Sequence, residues 1–148
     1  MELSDNGKAF IQGFEKLALS AYPDQGGVWT AGWGHTGPDV GPTTVCTIAQ
    51  ADTWFDEDTQ ATVDELNQTV TAPLTQNQFD ALVSFGFNVG DEAEAKSTLI
   101  KYVNAGDYTD ADAQFVRWDH VGKNVSAGLL KRRQAEAALF NNNSSSSA

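Results

Sequence analysis

The chain has 148 residues, 41% of them hydrophobic and 20% charged, which is the balance of a folded globular domain and excludes a disordered one. That length suits one domain, with a core that needs neither disulfides nor metals. A net charge of −11 excludes a nucleic-acid partner, because phosphates reward clustered Lys and Arg. The single cysteine, Cys46, permits no intramolecular disulfide and reads as a small buried hydrophobe. No His or Cys cluster suggests a metal, and no cofactor is expected. The opening MELSDNGKAFIQGFEK lacks a basic head followed by an apolar core, so no signal peptide is expected. No stretch has the apolar length of a membrane span, and a cytoplasmic chain without membrane insertion is expected.

Ser4 is the predicted N-cap of a first helix, with Asp5 in its first turn. Phe10, Ile11, Phe14, Leu17, Ala18 and Ala21 recur at helical spacing as one apolar stripe, and Pro23 is the predicted stop. Residues 24–27 read as a turn rich in Gly and Asp. From Val28 the period becomes two, with Val28, Thr30 and Gly32 facing one way and Trp29, Ala31 and Trp33 the other. This predicts a small hairpin-type sheet, in which Gly32, Gly34 and Gly37 mark tight backbone paths or close approach by a ligand. His35 reads as a fold-holding histidine bonded to a carboxylate or carbonyl.

Thr47 and Gln50 predict a capping box that opens a long helix. Its inner face is Ala51, Phe55, Thr59, Thr62, Val63, Leu66 and Val70, and the acids between them read as a solvated surface. Thr75 and Gln78 give a second box. The helix that follows is apolar nearly all round, which predicts burial, and Gly90 stops it. Phe87 near its end reads, from the residues alone, as core packing. Two short helices are predicted to open near Ser97 and Thr109, with Gly106 between them. Trp118, Asp119 and His120 lead into a loop, and Ser126 is the predicted cap of the last helix. Arg132 and Arg133 on that helix form a basic surface face unless one of them meets an acid. Residues 141–148, NNNSSSSA, read as a disordered polar tail.

Chemistry is concentrated in residues 14–37. Glu15, set beside Phe14, Leu17 and Leu19, should be held against hydrocarbon, and burial penalises the charged form of a carboxyl. Asp24 follows nine positions later in a polar turn that favours the ion, and Thr30 six further on in a strand. Two carboxyls whose surroundings pull their acidities apart form an acid/base pair of the kind glycoside hydrolysis requires.

The words FE, AYPD, GVWT and GWGHTG, followed by LTQNQFDALVSFGFNVG (74–90), STLIKYVNAGDY (97–108) and GLLKRRQAEAALF (128–140), resemble the phage-type lysozymes, the endolysin family. The resemblance covers nearly the whole chain, and it implies an α+β, lysozyme-like fold. In that fold a small β-sheet lobe (about 12–50) and a larger helical lobe (about 74–140) are joined by a long helix (about 48–70), with an active-site cleft between the lobes. It implies Glu15, Asp24 and Thr30 as catalytic residues and Gly34, Phe87, Asn88, Ser97 and Arg132 as substrate-binding ones. An Arg beside the catalytic acid would favour its ionised form and oppose the effect of burial. Glu94 stands where the family has a large apolar residue, which puts the shape of the far wall in question. The implied activity is inverting hydrolysis, by a monomer, of the β-1,4 bond between N-acetylmuramic acid and N-acetylglucosamine in bacterial peptidoglycan, after release from the host cytoplasm. A lytic transglycosylase, or a wall-binding module that keeps the fold without catalysis, stays open as an alternative.

Overall fold

The computed structural model describes residues 1–142. Helix α1 spans Asp5–Glu15, with Ser4 Oγ accepting from Gly7 N. The helix ends well before Pro23. Lys16, at φ 54°, turns the chain out of the helix, and Ala18–Pro23 forms strand β1, antiparallel to β2, Trp29–Gly32. The helical spacing of Leu17, Ala18 and Ala21 is therefore incidental. The backbone of β1 pairs with β2 and with the passing segment at Thr44 and Cys46, whose bonds run from Ala21 N to Thr44 O and from Cys46 N to Leu19 O, each 2.9 Å. Cys46 is only half-buried, its Sγ turned to Ala18 O at 3.6 Å.

Helix α2, Ile48–Thr69, buries Ala51, Phe55, Thr59, Thr62, Val63 and Leu66, the inner face read from the sequence except for Val70, which lies beyond the helix as its C-cap. Thr47 accepts from Gln50 N, so its cap is half of the predicted box. The acids on its outer side are not merely solvated. Asp52 accepts from Trp33 Nε1 at 2.9 Å, and Asp58 Oδ2 lies 2.7 Å from His35 Nδ1. His35 also meets Asp39 and stacks on Trp54 with centroids 4.3 Å apart, so it joins the sheet to the helix. Burial alone would lower its pKa, but the hydrogen bonds to Asp58 and Asp39 outweigh burial and raise it.

Helix α3, Gln76–Val89, is the axis of the larger half, opened by a complete capping box at Thr75 and closed at Gly90. Phe79, Leu82, Val83 and Phe85 are each at most 1% exposed. Against α3 pack α1, α2, α4 (Asp91–Ala95) and α7 (Ala127–Phe140), while α5 (Thr98–Asn104) and α6 (Tyr108–Gln114) pack on each other and join through α4 and α7. Helix α4 was not expected. Helix α6 opens at Tyr108, next to the expected Thr109, with Asp107 as its cap. The loop before α7 carries a short hairpin of β3, His120–Val121, and β4, Asn124–Val125. Asn141 and Asn142 are held to the fold, with Asn77 Nδ2 donating to Asn142 O at 2.9 Å. The rest of the expected tail, residues 143–148, lies outside the described residues. The architecture is α+β. Among the described residues no helix is long and apolar enough to cross a membrane.

Candidate active site

A cleft of about 610 Å³ opens between the sheet and the helices. Its lining includes Glu15 from the end of α1, Tyr22, Asp24, Thr30, Gly34 and Thr36 from the sheet region, and Phe87, Asn88, Trp118 and Leu129 from the helical half. The three residues singled out by spacing therefore share one cavity. Each reaches it by a different device.

Glu15 is the last residue of α1, where the turn at Lys16 leaves its side chain only 14% exposed. Oε2 accepts from Arg132 Nη1. Oε1 faces the backbone of Gly34, where a Cβ would come 2.9 Å from the Glu15 Cδ and closer still to Oε1. Glycine at φ 83° is thus required twice, for the backbone and for room beside the acid. Asp24 closes the turn after β1. Its Oδ1 accepts from Gly26 N and Val28 N, both at 2.8 Å, which fixes the carboxylate and leaves Oδ2 for the cleft. Thr30, 4% exposed, donates its hydroxyl proton to Val28 O at 2.9 Å, so its oxygen can accept from the cleft side. Tyr22, whose pKa is raised by burial and by the nearby Glu15 and Asp24, sits among them.

Behind Glu15 stands an ion cluster that the reading of a basic surface face missed. Arg132 is 5% exposed, and Arg133 and Glu136 are 0%. Arg132 donates to Glu15, to Ser84 O at 3.2 Å and to Glu136 Oε2 at 3.3 Å, while its guanidinium lies 5.3 Å from the Phe14 ring centre. Arg133 lies against the same carboxylate, Nε 2.7 Å from Oε1, and its Nη2 donates to Asn88 Oδ1 at 2.8 Å. Burial lowers the Arg133 pKa to about 10, with Glu136 opposing, so it stays charged at neutral pH.

Of the predicted binding residues, Gly34, Phe87 and Asn88 line the cleft, and Arg132 backs its acid. Ser97 does not reach it. Ser97 is 5% exposed and spent as the cap of α5, accepting from Ile100 N and donating to Glu94 O. Glu94 is likewise no part of the far wall. It is 0% exposed, packed where a Cβ on Gly86 would meet its Cδ at 2.8 Å, and neither of its carboxyl oxygens has a hydrogen-bond partner. Burial first, then Asp91 and Glu136, push its pKa well up, so it holds its proton. Tyr22, Gln25, Arg117, Trp118 and His120 line the cleft without having been assigned to it. Gln25 also accepts from Ser126 Oγ at 2.8 Å across 101 residues, a tie between the β1–β2 turn and the start of α7. The Tyr-Pro-Asp-Gln run around Asp24 was the available signal for Tyr22 and Gln25. Nothing local marked the loop at 117–121. Among the described residues no group of three or more His, Cys, Asp or Glu could hold a metal ion.

The family described as Phage lysozyme matches residues 12–136. The chain is 45% identical over 144 residues to the endolysin of Bacillus phage PZA, covering 95% of this chain and 55% of that one. It is 38% identical over 144 residues to the endolysin of Salmonella phage P22, covering 95% of this chain and 98% of that one. The chain thus spans about half the length of the Bacillus phage relative and nearly all of the P22 one. Among solved structures, the muramidase domain of SpmX from Asticaccaulis excentricus superposes with a TM-score of 0.84 at 36% identity, covering 95% of this chain and 98% of that one.

Proposed function

The chain belongs to the phage lysozyme family, and from that premise we propose that it hydrolyses the β-1,4 bond between N-acetylmuramic acid and N-acetylglucosamine in peptidoglycan, with inversion. The observation that carries this reading is the convergence of Glu15, Asp24 and Thr30 on one cleft. Oε2 of Glu15 is engaged by a guanidinium that can only donate, so the proton to be transferred sits on Oε1, toward Gly34. Glu15 gives that proton to the glycosidic oxygen as the bond to the anomeric carbon breaks. A water held between Asp24 Oδ2 and Thr30 Oγ1 attacks the carbon from the other face and passes its proton to Asp24. The ring carries positive charge as the bond breaks, and the fixed anion of Asp24 stabilises it. An inverting pair stands roughly 6.5–9.5 Å apart, the room a water needs.

A wall-digestion assay on chloroform-treated Gram-negative cells, comparing wild type with Glu15→Gln, tests the assignment, with mass spectrometry of the released sugars. Loss of lysis in the variant and hydrated reducing ends from the wild type are expected. Equal lysis would remove Glu15 from the mechanism, and anhydro-sugar products would replace hydrolysis with transglycosylation.

A further inference from the structure

Arg133 contributes nothing to the cleft surface, yet it decides the polarity of a residue that does. Asn88 ends the buried part of α3 and stands exposed on the helical wall, next to Phe87. Its Oδ1 accepts from Arg133 Nη2 at 2.8 Å. Because an arginine only donates, the oxygen of this amide must point inward and its NH₂ must point to the cleft. Arg133 cannot swing away to release it. The guanidinium is wholly buried, lies 5.1 Å from the Phe85 ring centre, and has Nε 2.7 Å from Glu136 Oε1. Glu136 in turn accepts from Arg132, the partner of Glu15. One carboxylate thus anchors the guanidinium behind the acid and the guanidinium behind the amide.

We propose that Arg133 is a positioning residue that locks Asn88 as a hydrogen-bond donor, so that this stretch of the cleft selects a substrate oxygen. The proposal rests on the cleft being a glycan site. In peptidoglycan the acceptor it fits is the carbonyl of an N-acetyl group. A de-N-acetylated amino sugar presents an ammonium there, a donor facing a donor. Discrimination of this kind arises because the fixed polar group is left unpaired when the wrong partner binds.

The test reverses the polarity at an exposed position, where folding is not at stake. In Asn88→Asp the carboxylate still accepts from Arg133 but offers the cleft an acceptor. On N-acetylated peptidoglycan KM should rise about tenfold, the worth of one hydrogen bond, with kcat unchanged, since uniform binding and not transition-state binding is lost. On the same wall after de-N-acetylation the variant should match or surpass the wild type. Arg133→Lys, which cannot reach Glu136 and Asn88 together, should raise KM similarly and add nothing further in the Asn88→Asp background. Unchanged KM on both walls in Asn88→Asp would overturn the proposal, as would independent, additive effects of the two substitutions. Failure of the underlying reading looks different: the wild type itself would release no sugars, or Glu15→Gln would release as many.

Discussion

Gly34→Ala isolates the placement of the acid from the stability of the fold. At φ 83° an alanine costs about 1–2 kcal/mol of left-handed backbone strain. For a chain of this size that is a fall of roughly 2–8 °C in Tm, at about 2–4 °C per kcal/mol. Gly106→Ala supplies the matched control, since Gly106 has φ 77°, does not line the cleft, and has nothing within 4 Å of the point an alanine methyl would occupy. The methyl at Gly34 differs in meeting Glu15 Cδ at 2.9 Å, where ordinary contact begins at 3.4 Å. The carboxyl must retreat by at least the difference, about 0.5 Å, and Oε1 by more. It cannot retreat into Arg132, which Ser84 and Glu136 hold in place. A misplacement approaching 1 Å costs on the order of 100-fold in rate. Both variants should therefore lose similar Tm by scanning calorimetry. Only Gly34→Ala should lose kcat in the wall-digestion assay, by roughly 10- to 100-fold. Activity in Gly34→Ala equal to that of Gly106→Ala would refute the assignment of Oε1 as the working atom.

Three further outcomes are expected. His35 has a raised pKa in the folded state, so its contribution to stability is complete below the unfolded value of 6.5 and is lost as pH rises through the folded value; Tm should fall from pH 6 upward in the wild type and not in His35→Asn. Glu94 is also raised, so it destabilises progressively above its ordinary value of 4.5; Glu94→Gln should match the wild type at pH 4 and exceed it in Tm by a margin that widens toward pH 8. Arg132→Met leaves Glu136 buried with one cation fewer and Glu15 without its paired guanidinium, and urea titration should show a loss of about 3–5 kcal/mol, the cost of breaking a buried pair.

What the sequence disclosed and what it hid divide by the range of the interactions involved. The inner face of α2 was readable residue by residue because a long amphipathic period repeats the same signal six times over. The caps at Ser4, Thr47, Thr75, Ser97 and Ser126 were readable because each side chain bonds a backbone N–H three residues on. The fixed spacing of Glu15, Asp24 and Thr30 brought those three into view together. Strand β1 was hidden because Leu17 to Ala21 fits either period, and only the partner strand decides between them. The meeting of Arg132 with Glu15 came from the family resemblance and from no local signal, because the two lie 117 residues apart. Ser97 was misplaced for the opposite reason: its cap is local, and the cap consumes the hydroxyl that binding would need.

The ion cluster behind Glu15 is a poor way to stabilise a core. Charges taken out of water seldom recover their desolvation cost, and well-packed apolar residues of the same volume are often more stable. Its value lies in geometry. A guanidinium on a flexible stem is fixed in direction only when separate acceptors hold it, and Arg132 has them on three helices: Glu15 on α1, Ser84 on α3 and Glu136 on α7. The acid is thereby referenced to the helices, while Asp24 and Thr30 are referenced to the β-turn and β2 through Val28. The gap between acid and water site is then set by how the sheet docks on the helices, and Gly34 is the point where the two frames touch. Glu94, near enough to Glu136 and Arg133 to feel their charges, shows the contrast. Buried without a hydrogen-bond partner, it escapes the desolvation cost by keeping its proton, and it orients nothing. Of these two buried acids, Glu136 is kept in fixed ion pairs where direction matters, and Glu94 is neutralised where it does not.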